Sequence, residues 1–164
     1  MLNSTPWLQQ TSQRLAANSF IPLAPELYQP QGIKFATRRS RFEIAKFGMA
    51  ETVFVFAEIP NLEPNALYSF SSFAFQFANK NKTVPLPNGL FMSVFCFSVV
   101  ITANLDPQLA ASIRDTAPIK HWAAFEMPVV YDLADGSLTY FEKTPLWGAA
   151  YYAGFRREVQ ANLG

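Results

Sequence analysis

His121 is the single imidazole of this 164-residue chain, and it stands in the run Pro118-Ile119-Lys120-His121-Trp122. An imidazole can act as a general base near neutral pH when a carboxylate orients it within hydrogen-bond reach. The nearest acid that follows is Glu126. In a regular strand an odd separation sends two side chains to opposite faces, so the spacing predicts that this pair does not meet. Asp132 shares a face with Glu126, but at roughly 3.3 Å per residue the two are about 20 Å apart, too far for paired-carboxylate chemistry. Cys96 lies in an apolar run with no basic neighbour to make it a thiolate, and it reads as core packing. One cysteine and one histidine cannot form a Cys/His metal set, nor can one cysteine close an intrachain disulfide. No cofactor and no metal is therefore expected.

Two cationic groupings remain. Lys34, Arg38, Arg39, Arg41 and Lys46 stand against Glu43 and interleave with Phe35, Phe42 and Phe47. That composition suits a strand surface for single-stranded nucleic acid, with Arg38, Arg39 and Arg41 as its contacts. The plainer reading is an edge strand kept from aggregating by its charges. A net charge of +1 supplies no general attraction to polyanions, so nucleic acid is not expected as a partner. The second grouping lies before the last helix, where Thr144-Pro145 follows Lys143. A helix start offers free N–H donors and partial positive charge, and a small anion could sit there. Lys120, His121, Trp122, Lys143, Trp147 and Tyr151 form the candidate small-ligand set. No glycine-rich phosphate loop or nucleophile elbow occurs, so the residues name no reaction and leave catalysis open.

These side chains must be positioned by the elements around them, and the central one is residues 89–105, GLFMSVFCFSVVITANL. Between Phe91 and Ala103 only Ser93, Ser98 and Thr102 are polar, which predicts a strand covered on both faces. A bilayer crossing needs about 20 apolar residues, more than this run supplies, so no membrane partner is expected. Upstream, Thr5 as N-cap and Pro6 predict a helix over 6–17, with a thin apolar stripe suited to the surface or to a partner chain. Residues 18–31, with Pro22, Pro25 and Pro30, predict an extended connector. Residues 32–59 predict strands broken at Gly48, with a turn near Arg39-Ser40.

The stretch 61–79 carries both helical and alternating spacings. Its length favours a helix, buried nearly all round. Residues 80–88 predict a loop. Asp106-Pro107 predicts a helix through Arg114. Asp135-Gly136 predicts a two-residue hairpin turn that sets Leu133 against Leu138, Tyr131 against Tyr140 and Val129 against Glu142. One face of that hairpin is apolar and the other, with Glu126 and Asp132, is mixed. The last helix follows Thr144-Pro145, with Trp147, Tyr151, Phe155, Val159 and Leu163 at steps of four.

The order predicts a single α+β domain over 1–164, a largely antiparallel sheet with helices packed on one face, residues 1–31 forming the N-terminal helix and connector. Half the residues are apolar and sixteen are Phe, more than a small domain can hide, so a self-associating binding module, a homodimer, is expected. The alternatives are a small-anion binder or enzyme using Lys120, His121 and Lys143, and nucleic-acid binding around Arg38 to Arg41. The start MLNSTPWLQQ lacks a basic segment followed by an apolar one, so a reducing, cytoplasmic location is expected.

Overall fold

In this computed structural model residues 2–43, 48–89, 91–145 and 149–164 are described; the expectations placed on Lys46, Phe47 and Trp147 lie outside them. In chain order the elements are α1 (Thr5–Ala17), β1 (Ile21–Pro22), α2 (Pro25–Tyr28), β2 (Phe35–Glu43), β3 (Gly48–Glu58), α3 (Pro64–Lys80), β4 (Met92–Thr102), α4 (Pro107–Asp115), β5 (Lys120–His121), β6 (Ala124–Asp132), β7 (Leu138–Tyr140) and α5 (Ala149–Leu163). Among the described residues one sheet holds all seven strands in the order β1-β2-β3-β4-β6-β5, with β7 also paired to β6.

The apolar run is β4, and it lies parallel to both neighbours, β3 and β6. The other four pairings are antiparallel, so the fold is mixed α/β with a sheet that is mostly but not entirely antiparallel. Parallel neighbours must be joined by crossovers, and α3 and α4 supply them. Both crossovers step the same way along the sheet, so with a common hand they fall on one face. This order has no reversal between parallel strands, and hence none of the switch-point crevice that doubly wound sheets use for ligands.

Helices cover both faces, which corrects the expectation of one. On the first face α1 and α5 pack Leu15, Tyr152, Phe155 and Val159 against Phe54, Phe56, Phe97, Val99, Met127 and Val129. On the second, Ala74, Phe75, Phe77 and Ala78 of α3 meet Val53, Val55, Val94, Cys96 and Ala124, while Leu109, Ala110 and Ile113 of α4 meet Val100 and Val130. The reason is in the strands: β3, β4 and β6 are apolar at odd and even positions alike, and neither side tolerates water.

The stretch 64–80 is helical, but not buried all round: Ser69, Phe73, Gln76 and Lys80 form an exposed stripe. Residues 18–31 are not merely extended, since α2 begins at Pro25 and a 3₁₀ turn Gln29–Gln31 follows. β2 runs unbroken through Arg39-Ser40. Ser4, not Thr5, precedes the first helical residue of α1, and its hydroxyl donates to Glu58 rather than capping. The Asp106 cap is present, accepting from the Gln108 and Leu109 N–H groups at 3.0 and 2.9 Å.

The β6–β7 register differs from expectation by two residues: Tyr131 faces Leu138 and Val129 faces Tyr140. The cause is a longer loop. Asp132 Oδ1 accepts the Ala134 N–H, Asp135 Oδ1 accepts the Ser137 N–H, both at 2.9 Å, and Gly136 supplies φ +73°. A shift of two leaves every side chain on its face. The face expected to be mixed is instead buried, with Glu126 and Asp132 at 3% and 6% exposure. Among the described residues no helix is long and apolar enough to cross a membrane.

Candidate functional site

The first departure from a regular strand in the His121 region is at Ala123, whose φ is +53°. Trp122 and Ala123 turn the chain, and β5 folds back antiparallel on β6 with His121 opposite Ala124. Residues opposite one another in a ladder share a face, so His121 joins Ala124 and Glu126 on the α3 side. This overturns the predicted separation: His121 Nε2 lies 2.6 Å from Glu126 Oε1.

The pair is set by α3. Ser71 and Ser72 approach Glu126 Oε2 at 3.3 and 3.4 Å. Phe75, one turn further along, stacks on the imidazole with ring centroids 4.1 Å apart and planes 4° from parallel. Positions 71 and 75 project from the same side of a helix. The imidazole side chain is 37% exposed and the glutamate 4%, so one end of the pair touches water and the other does not.

Beyond Glu126 lies a cavity of about 250 Å³. Tyr68 and Ser71 of α3, Ile113 of α4, the loop Thr116 to Ile119, and Pro128 and Phe141 enclose it, with the Glu126 carboxylate on its wall. Its position follows from how β6 is paired. β5 covers Ala124 and Phe125, β7 covers Val129 to Tyr131, and Pro128, which has no N–H to give a ladder, sits in the gap. A carboxylate removed from water requires a partner; among the described residues it has His121 on one oxygen and only the long serine contacts on the other. The arrangement can accept a hydrogen bond from a molecule in the cavity and exchange a proton with solvent through the imidazole.

The remaining candidates separate. Lys120, one residue before His121, points to the opposite face, its Nζ 5.3 Å from the Tyr152 ring centroid. Lys143 pairs with Asp115 at 3.2 Å, both side chains more than half exposed. Trp122 is 84% exposed. Tyr151 stacks on Phe125 at 5.8 Å between centroids and stands on the solvent side of α5, so the buried row of that helix runs through Tyr152 rather than Tyr151. Of the arginines, Arg38 donates to the Asn81 carbonyl at 2.7 Å. Arg39 is buried, pairs with Glu158 and lies 4.3 Å from the Phe20 ring centroid. Arg41 is exposed. Arg39, Arg41 and Tyr151, drawn from two different expectations, line one cleft between β2 and α5.

Cys96 is buried and lies beside Glu126 across the β4–β6 ladder. Burial first, and the nearby carboxylate second, push its thiol far up, so it is held neutral. Among the described residues no three His, Cys, Asp or Glu side chains converge as a metal site would need. Sequence reasoning missed Ser71, Ser72 and Phe75, which come from a segment about 50 positions upstream. The available signal was the serine pair interrupting a helix otherwise rich in Phe. No family model, curated protein or solved structure matches this chain.

Proposed function

We propose that the protein binds a small amphiphilic molecule in the cavity between α3 and the α4–β5 loop, with Glu126 accepting a hydrogen bond from the ligand's amine or amide. The observation that supports this reading is a nearly water-free carboxylate on the wall of an otherwise largely apolar cavity. An apolar cavity of about 150 Å³ takes a benzene ring, so about 250 Å³ suits a ring or short chain bearing one polar group. Small-molecule sites characteristically combine an apolar lining with a few convergent polar groups. Titration with cyclohexylamine, followed by calorimetry, tests the reading. Binding is expected for the intact chain and a loss of at least about tenfold for Glu126→Leu, the scale of a charged hydrogen bond. Equal affinity in the two proteins, or no binding at millimolar amine, defeats the proposal.

Self-association is the second reading, supported by an apolar rim along the end of the sheet where β3 and β4 begin. Phe42 pairs with Met49, the Met49 N–H donates to the Phe91 carbonyl at 2.9 Å, and Gly89 lies beside the Trp122 indole. Phe42 and Phe91 are each 60% exposed. Sedimentation at micromolar concentration should show a dimer that Trp122→Glu dissociates; a monomer in the unaltered chain removes this reading.

A further inference from the structure

We propose that the cleft between β2 and α5 binds a small aromatic carboxylate, a site on the opposite face of the sheet from Glu126. On β3 the first face carries Phe54 and Phe56 but then continues with Thr52 and Ala50, much smaller side chains. Across from them α5 presents Gly154, where an added Cβ would meet no atom within 4 Å. Small residues on both walls leave a cleft of about 200 Å³, room for a substituted benzene by the same volume comparison. Phe95 and Phe155, 5.4 Å apart between centroids, give the slot aromatic walls.

The mouth supplies the charge preference. Arg39 is neutralised by Glu158, though its buried Nε has no hydrogen-bond partner among the described residues. Glu43, on the same wall, is itself partnered. Arg41 lines the cleft and is exposed, and among the described residues no carboxylate pairs with it. Two guanidiniums and two carboxylates thus line the cleft, and Arg41 is the guanidinium that no described carboxylate takes up; its planar donors match a carboxylate in two parallel hydrogen bonds. A ring in the slot with its carboxylate at Arg41 meets both requirements. An uncharged ring leaves Arg41 unused.

Benzoate, with benzamide as its uncharged analogue, tests the site by calorimetry on the full chain. Benzoate is expected to bind at least about tenfold more tightly than benzamide, and Arg41→Gln should remove that margin while leaving benzamide unchanged. Gly154→Leu should abolish binding of both by filling the slot, and since it places a good helix former inside a helix it keeps the fold, which circular dichroism checks. Glu126→Leu should leave benzoate affinity unaltered, so that failure here is distinct from failure of the amine site. Equal affinity for benzoate and benzamide, indifference of benzoate to both substitutions, or no binding at millimolar benzoate would each overturn the assignment.

Discussion

On one side of β3, β4 and β6 the chain stacks Phe54 on Phe97 at 4.6 Å between centroids and sets Phe155 edge-on against Phe97 at 6.0 Å. On the other side the same three strands carry Glu51, Ser98, Thr102, Glu126 and Asp132, all buried. The first face keeps its buried charge to Arg39 on the peripheral strand β2, whereas the second buries three carboxylates, Glu51, Glu126 and Asp132, at 0%, 3% and 6% exposure. Aromatic burial and ring contacts stabilise by area and geometry. A buried carboxylate does neither unless it is fully partnered, and Glu51 Oε1 has no partner among the described residues. The first face thus stabilises chiefly by aromatic packing, while the second combines its apolar clusters with buried polar groups that stabilise only as far as they are partnered.

Substitutions on the two faces put this contrast to the test. The largest effect is expected from Phe97→Ala, which removes a fully buried ring from the middle of the aromatic face and should cost about 3–5 kcal/mol in urea denaturation. A loss under about 1 kcal/mol would mean that the first face is not the stabilising one. On the second face the outcome should depend on which partner is removed. His121→Ala strips Glu126 of its closest donor and should cost roughly 1–3 kcal/mol. Glu126→Leu removes the buried charge altogether and should be near neutral or stabilising, as replacement of buried charge by apolar volume often is. If both cost the same, the carboxylate is a structural element and the contrast fails.

A smaller loss than that of His121→Ala belongs to an ion-paired carboxylate at the far end of β3. Burial alone would raise the Glu58 carboxyl, but the hydroxyl of Ser4 and the ion pair with Lys34 at 3.0 Å outweigh it, and the net shift is downward. A carboxyl lowered by folding adds stability that is whole above the ordinary carboxylate range, around 4.3, and is lost as pH falls through the lowered folded value. Glu58→Gln should therefore cost about 0.5–1 kcal/mol at neutral pH, with the gap between the two proteins closing on acidification in thermal melts. A gap that widens in acid would reverse the assigned sign.

Several of these features were legible in the residues. The run between Phe91 and Ala103 read as an inner strand, because only Ser93, Ser98 and Thr102 interrupt its apolar residues and it is too short to cross a bilayer. Asp106-Pro107 marked a helix start, because an aspartate side chain satisfies N–H groups that the helix itself leaves open. What failed, failed where a local rule was overruled by a distant one. The run was correctly expected to be covered on both sides, yet helices were assigned to one. Hairpins count chain reversals and do not decide which strands flank the central one. The hairpin register slipped because Asp132 and Asp135 act as side-chain caps that lengthen the loop, an alternative to the Asp-Gly turn that composition does not distinguish. The His121–Glu126 pair was hidden by Ala123, a residue type that seldom adopts positive φ and gives no sign of a reversal.

The residues alone were enough to mark 92–102 as an inner strand and Asp106-Pro107 as a helix start, and to show that one cysteine and one histidine cannot build a Cys/His metal centre, since these depend on side-chain polarity and number. Only the tertiary structure decided that β4 has two parallel neighbours, that α3 brings two serines and a phenylalanine to a glutamate some fifty positions away, and that Arg41 faces a glycine-lined cleft. Each of these is a meeting of segments far apart in the chain, and which segments meet is fixed by how whole elements pack, a property that no local pattern of residues carries.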